Sequence, residues 1–147
     1  LEFAGVYGNC PFCEIVKGNK NYQEVLSNNV LIAAMDHRPV SKGHIIIFPR
    51  EHYENIYDIP DDILAEISLT SKKISLALKK AYNPPGLNII QNNGQLAGQT
   101  VFHFHVHIIP RYDNEYLNYL IEVAKNRKVA SDDYLLKEAN YIKAHLD

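Results

Sequence analysis

No apolar run in this 147-residue chain approaches the roughly 20 residues that span a bilayer, and residues 1–9 lack both the charged start and the apolar stretch of a secretory signal. No membrane partner is expected, and the chain reads as cytoplasmic, with residues 1–3 carrying no function. Positive charge is scarce too: 15 Lys and Arg stand against 17 Asp and Glu, a formal net charge of −2. That balance gives no basic field for a long nucleic acid, although a small phosphate pocket needs only backbone N–H groups and a few side chains. There is no internal repeat and no low-complexity linker. The length and a hydrophobic content of 46% suit one continuous core, so a single domain over residues 1–147 is expected. Only two cysteines occur, too few to close a structural zinc site by themselves.

What the chain does have is histidine in an unusual pattern. His103, His105 and His107 recur every second residue, with Phe104, Val106 and then Ile108 and Ile109 between and after them. A strand turns alternate side chains to opposite faces, so this spacing predicts a strand over residues 101–109 with three imidazoles on one face and Phe102, Phe104, Val106 and Ile108 on the other. Neutral imidazole attacks phosphorus or a carbonyl, shuttles protons near neutral pH, or binds metal. A half-buried strand with no chemistry to do would be better served by apolar residues at these positions.

Around that tract the pattern predicts a short helix over residues 11–17, with Phe12, Ile15 and Val16 on its apolar side and Gly18 as its stop. Strands are expected at residues 25–26, 30–35 and 44–48, the first two joined by Ser27, Asn28 and Asn29. The longest helical signal covers residues 61–82, opened by Pro60 and striped by Ile63, Ile67, Ile74 and Leu78. Asp61 and Asp62 suit its N-terminal end and Lys79 and Lys80 its C-terminal end. After the Asn83-Pro84-Pro85-Gly86 breaker, residues 87–91 form a strand that should pair antiparallel with the histidine strand across a long loop. A partial helix over 118–128 and a firmer one over 132–146 complete the chain. Strands gathered around one long helix predict α+β architecture: an antiparallel sheet of about five strands, the long helix and a C-terminal helix.

Three further groups carry chemistry. Cys10-Pro11-Phe12-Cys13 spaces two thiols so that both can face one ion, while a redox pair or two inert buried thiols remain open readings. Asn92 to Thr100 holds Gly94 and Gly98, which permit close backbone approach, and Asn92, Gln99 and Thr100, which offer uncharged donors suited to a phosphate that must also leave. Asp36, in Met35-Asp36-His37-Arg38-Pro39, is open to a plain turn-cap role.

Residues 103–109 fit without a gap the His-φ-His-φ-His-φ-φ signature, φ being apolar, of the histidine triad (HIT) nucleotide-binding family. The chain resembles that family, in its zinc-containing bacterial form and akin to its nucleotide hydrolases, over residues 10–111. Ala97-Gly98-Gln99-Thr100-Val101 is similar to the family's phosphate loop, and the Asp36 and Lys42-Gly43-His44 segments are similar as well. The resemblance implies a HIT-like fold and a homodimer. It implies a structural Zn²⁺, with no organic cofactor, held by Cys10, Cys13, His52 and His103. It assigns Asp36 to the ribose hydroxyls, Phe12, Ile15 and the surroundings of His37 to a purine base, and His44 to the α-phosphate region.

The implied reaction is nucleotidyl transfer at the α-phosphate of purine nucleoside phosphoramidates or dinucleoside polyphosphates. His105 is the nucleophile, His107 bonds a phosphoryl or bridging atom, and Gln99 and Thr100 stabilise developing charge. A nucleotide-binding regulatory module with incidental turnover is the alternative. A zinc-dependent hydrolase using all three triad histidines is a third reading. Residues 112–131 match no motif of the family.

Overall fold

The strand β3, Ile45–Pro49, is buried at every position, which explains why its sequence is apolar without alternation: both faces of the sheet are covered there. The computed structural model describes residues 9–146, so residues 1–3, assigned no function above, lie outside it. Before β3 come the helix α1, Pro11–Val16, and the strands β1, Glu24–Ser27, and β2, Leu31–Met35. After it come the helix α2, Asp61–Tyr82, and the strands β4, Gly86–Ile90, and β5, Val106–Arg111. The sheet has five strands in the order β1-β2-β3-β5-β4, and every pairing is antiparallel. The α+β expectation holds. Among the described residues no helix is long and apolar enough to cross a membrane.

Period-two alternation sorts the strands into two cores. Leu31 and Ala33 of β2, Ile45 and Ile47 of β3, and Val106 and Ile108 of β5 pack with Phe104 against Ile67, Ile74 and Leu78 of α2. Ile32, Ala34, Ile46 and Phe48 point the other way and pack with Cys10, Phe12 and Ile15 at α1. Phe12 stacks on Phe48 with ring centroids 4.4 Å apart. Truncating a buried Ile such as Ile47, fully enclosed in the first core, to Ala costs on the order of 2–5 kcal/mol.

The long helix runs over the residues its periodicity predicts. Asp61 and Asp62 occupy its first turn and Lys79 and Lys80 its last, matching the helix dipole. Ser71, a polar residue on the buried stripe, bonds the Ile67 carbonyl at 2.8 Å, so its burial leaves no group unpaired. Asn83 closes the helix in the left-handed conformation at φ 45°, a role Asn tolerates better than most residues. Gly43 has φ +87°, and a Cβ there would stand 3.0 Å from the Tyr82 ring and 3.1 Å from Leu78. Only glycine lets the chain pass this close to α2 just before His44.

Three elements differ from expectation by three residues or more at an end, and the others by at most one. The histidine strand begins at Val106, not at residue 101, because residues 102–105 leave the ladder while keeping their in-out alternation: Phe104 is buried in the α2 core and Phe102 is half-buried. The helix expected at 118–128 is α3, Glu115–Lys125; Glu115 in its first turn and Lys125 in its last fit the dipole. The final helix α4 spans Asp132–Lys143 and stops short of residue 146. The chain forms two compact units divided after Tyr112. The second contains α3 and α4, and Ser131 caps α4 by accepting from the Tyr134 N–H.

Candidate active site and metal centre

The pairing of β3 with β5 sets Ile46 opposite His107, so the histidines emerge on the α1 face of the sheet. Each then meets a different environment. His103 is fully buried, and its Nε2–H donates to the Pro49 carbonyl at 2.8 Å. That bond leaves Nδ1 as a lone pair aimed at the Cys10 sulfur, 3.3 Å away, and at His52 Nδ1, 3.1 Å away. The Cys13 sulfur is 3.3 Å from His52 Nδ1 and 3.6 Å from His103 Nδ1. Cys10 is also the N-cap of α1, where its sulfur accepts from the Cys13 N–H, so the helix start fixes both thiols.

These four side chains can hold a metal ion: one donor atom from each lies within 4.8 Å of all the others. In a tetrahedral Cys₂His₂ site, neighbouring donors stand about 3.4–3.7 Å apart, close to the separations seen here. Burial, and then the adjoining Cys10 thiol, push Cys13 up to about 11. The Cys13 thiol therefore ionises readily only beside a cation. Both cysteines are free.

Among the described residues, His105 belongs to no group able to hold a metal ion. Its Nδ1–H donates to the carbonyl of His103 at 2.8 Å, and the Phe12 ring lies edge-on to it with centroids 5.2 Å apart. Burial pushes its pKa down to about 4 against the partial support of that carbonyl, so the ring is neutral near pH 7 with Nε2 as its lone pair. His107 lies beside it, ring centroids 4.9 Å apart, and its Nδ1 is 2.9 Å from His44 Nε2. Burial lowers the pKa of His107 and of His44 as well, with Asp36 opposing in both cases. Among the described residues His103 and His107 fall in separate groups able to hold a metal ion and His105 in neither, which argues against one ion held by all three.

Asp36 divides its carboxylate. Oδ1 accepts from the Arg38 N–H at 2.8 Å, the turn-cap bond, while Oδ2 lies 3.4 Å from His44 Nε2 and 3.8 Å from His107 Nδ1. Beside it a cavity of about 290 Å³ is lined by Phe12, Ile15, Asp36 and His37, as expected, and by Tyr22 and Gln23. Those last two went unread in the sequence because residues 19–23 show no periodicity or motif. His44, expected near a phosphate, is buried and meets the site through His107.

In the loop before β5, Gly94 and Gly98 take φ values of 92° and 90°, and Asn92 Nδ2 reaches the Gly98 carbonyl at 3.4 Å. Thr100 is half-buried at the loop's end. Gln99, expected to stabilise developing charge, is bound within the protein. It is 1% exposed; its Oε1 accepts from the Gly94 N–H at 2.8 Å, and its Nε2 donates to the carbonyls of Glu54 and Val101 at 2.7 and 3.1 Å. Both ends of the amide are committed to backbone groups, those of the loop and that of Glu54.

A family model for the HIT domain matches residues 17–114. The chain belongs to the HIT family. Among its relatives, this HIT protein is 40% identical to Protein hit of Bacillus subtilis over 104 residues, 71% of this chain and 72% of that one. It is 38% identical to the adenosine 5'-monophosphoramidase hnt1 of Schizosaccharomyces pombe over 74% of this chain and 78% of that one. Among solved structures, a Zn-bound histidine triad family protein from Mycobacterium smegmatis superposes with a TM-score of 0.69 at 31% identity, covering 77% of this chain and 81% of that one.

Proposed function

We propose that this HIT protein hydrolyses purine nucleoside phosphoramidates or dinucleoside polyphosphates at the α-phosphorus by two-step nucleotidyl transfer. The observation that carries the reading is the geometry of His105: buried, anchored through Nδ1–H to the His103 carbonyl and left with Nε2 as a nucleophile, with burial holding its pKa low. In the first step the Nε2 lone pair bonds to phosphorus and the bond to the leaving group breaks with its electron pair. His107 donates a hydrogen bond to the departing atom, which takes its proton from water. The charge gathered on the His105 ring is met by the His103 carbonyl. Water then attacks phosphorus, loses one proton to solvent and releases the mononucleotide, and the His105 lone pair is restored.

In this reading Phe12, Ile15 and His37 enclose the base, and the free side of Asp36 takes the ribose. Asn92, Gly98 and Thr100 border the phosphates, and Gln99 acts by shaping the loop that carries them. The name of the fission-yeast relative supports the phosphoramidate branch. Cys10, Cys13, His52 and His103 would hold zinc as a closed, structural ion that pins α1 to the sheet. Pairing as a homodimer is part of the same proposal; β4 ends the sheet, and its Ile89 is 53% exposed.

The test is His105→Ala, expected to lower turnover by about 10³-fold or more while nucleotide binding persists. Intact-mass spectrometry of rapidly quenched wild type should show one added nucleotidyl group. Near wild-type turnover by the variant would defeat the proposal, and tight nucleotide binding without turnover by the wild type would favour the regulatory module.

A further inference from the structure

Proton placement at the site can be worked out from one hydrogen that cannot move. The backbone N–H of Val40 points at His44 Nδ1 across 3.0 Å. A backbone amide only donates, so Nδ1 of His44 must be the acceptor and the ring proton must sit on Nε2. That Nε2 lies 2.9 Å from Nδ1 of His107 and 3.4 Å from Oδ2 of Asp36. The shorter contact is a hydrogen bond only if one nitrogen donates and the other accepts. His44 is the donor by the Val40 argument, so Nδ1 of His107 accepts. The proton of His107 is therefore on Nε2.

We propose that His44 is a positioning residue which, reading its own tautomer from the Val40 amide, holds His107 as the Nε2–H tautomer, the form able to donate a hydrogen bond to a departing group. The inference rests on the proposed reaction for its catalytic meaning, but the tautomer itself does not. The opposite arrangement would need a proton on His44 Nδ1, and two N–H groups would then face each other across 3.0 Å. The same reasoning disposes of another reading of this cluster. Asp36, His44 and His107 bring three donor atoms close enough for a metal ion, yet His44 offers a proton there and not a lone pair. Gly43 keeps the arrangement in place, because the turn before His44 packs too tightly on α2 to accept a Cβ. Burial of His44 to 2% exposure shields the bond from water, which would otherwise exchange it.

The experiment is ¹⁵N NMR of histidine-labelled wild-type protein without nucleotide, in which the two ring nitrogens report which one is protonated. Expected are Nε2-protonated tautomers for both His44 and His107; an Nδ1-protonated His107 overturns the proposal whatever the enzyme is found to hydrolyse. Two variants add the catalytic readout. His44→Met removes the donor, and kcat should fall at least tenfold with KM changed less than threefold and the His107 tautomer no longer fixed. His44→Gln puts an amide N–H near the lost Nε2–H and should recover most of that rate and the tautomer. Loss of rate in His44→Met with the His107 tautomer unchanged, or no difference between the Met and Gln variants, also overturns it. If neither phosphoramidates nor polyphosphates are turned over by wild type, the reaction proposed above fails while the NMR result still decides the tautomer.

Discussion

Replacing Gln99 by Leu separates a residue that builds the site from one that works in it. Leu is similar in size, and the substitution deletes three hydrogen bonds at once, those to Gly94 N–H and to the carbonyls of Glu54 and Val101. A neutral intramolecular hydrogen bond contributes about 0.5–1.5 kcal/mol net, and a partner left dry costs about 1–3 kcal/mol. Glu54 is exposed, and Gly94 and Val101 are half-buried, so water can rescue part of the loss and the lower half of the range applies. The expected destabilisation is about 2–3 kcal/mol, or a fall in Tm of roughly 4–12 °C for a chain of this size. Urea unfolding followed by circular dichroism measures it, and kcat per folded molecule is measured alongside on the same preparation. Since the amide is consumed by the loop, kcat should fall less than tenfold below the melting transition. A wild-type Tm combined with a hundredfold loss of kcat would mean that the amide leaves its backbone partners to meet the phosphate, and the loop-shaping assignment would be wrong.

Elemental analysis after dialysis should find one zinc per chain, lost in Cys10→Ser together with a lower Tm; reduced protein prepared without chelator that holds no metal would remove the metal centre. Asp36→Asn should weaken ribonucleotide binding by about 1–2 kcal/mol, the scale of a hydrogen bond to a charged group, and shrink the penalty for a 2′-deoxy ligand; an equal penalty in both proteins by calorimetry would leave Asp36 with its Arg38 turn bond alone. Acid should destabilise the fold through His44 and His107. Burial holds both below their ordinary pKa, so below about pH 6.5 the unfolded chain takes up protons that the folded chain refuses. Their contribution is therefore full above that pH and is lost on acidification, by up to about 1.4 kcal/mol per pH unit for each group. Urea midpoints at pH 7.5 and 5.5 with zinc saturating read this directly, and a flat profile would contradict it.

Much of the site was legible because it is local. The alternation of residues 103–108 gave the correct faces, and it did so even where the ladder is missing, since side-chain direction follows an extended backbone whether or not it is paired. The long helix was equally plain, being marked by Pro60, its terminal charges and the Asn83 breaker. What could not be read is what depends on distant contact. The His44–His107 bond joins residues 63 apart in sequence, and nothing near either residue signals it. Gln99 looks like any loop amide until the Glu54 carbonyl, 45 residues away, arrives to accept from it. Tyr22 enters the cavity by the path of a segment that has no pattern of its own. The zinc ligand set came from likeness to a family and not from spacing, since two thiols fix only half of it.

The late start of β5 sets a limit on how regular this hairpin can become. The strand lies between β3 and β4, so any residue it gained at its N-terminal end would have its carbonyl claimed by one neighbour or the other. His103 stands three residues before that end, and its carbonyl is the group that grips His105. The next amide, that of Phe104, is likewise bound outside the sheet, to Tyr53 O at 2.6 Å. Order in the sheet and the anchoring of His105 therefore draw on one carbonyl, whose direction is set by the irregular backbone. A redesign that lengthened the ladder to gain stability would turn that carbonyl toward a neighbouring strand and strain the imidazole's anchor, so the irregular stretch is the part of the hairpin that stabilising substitutions should leave alone.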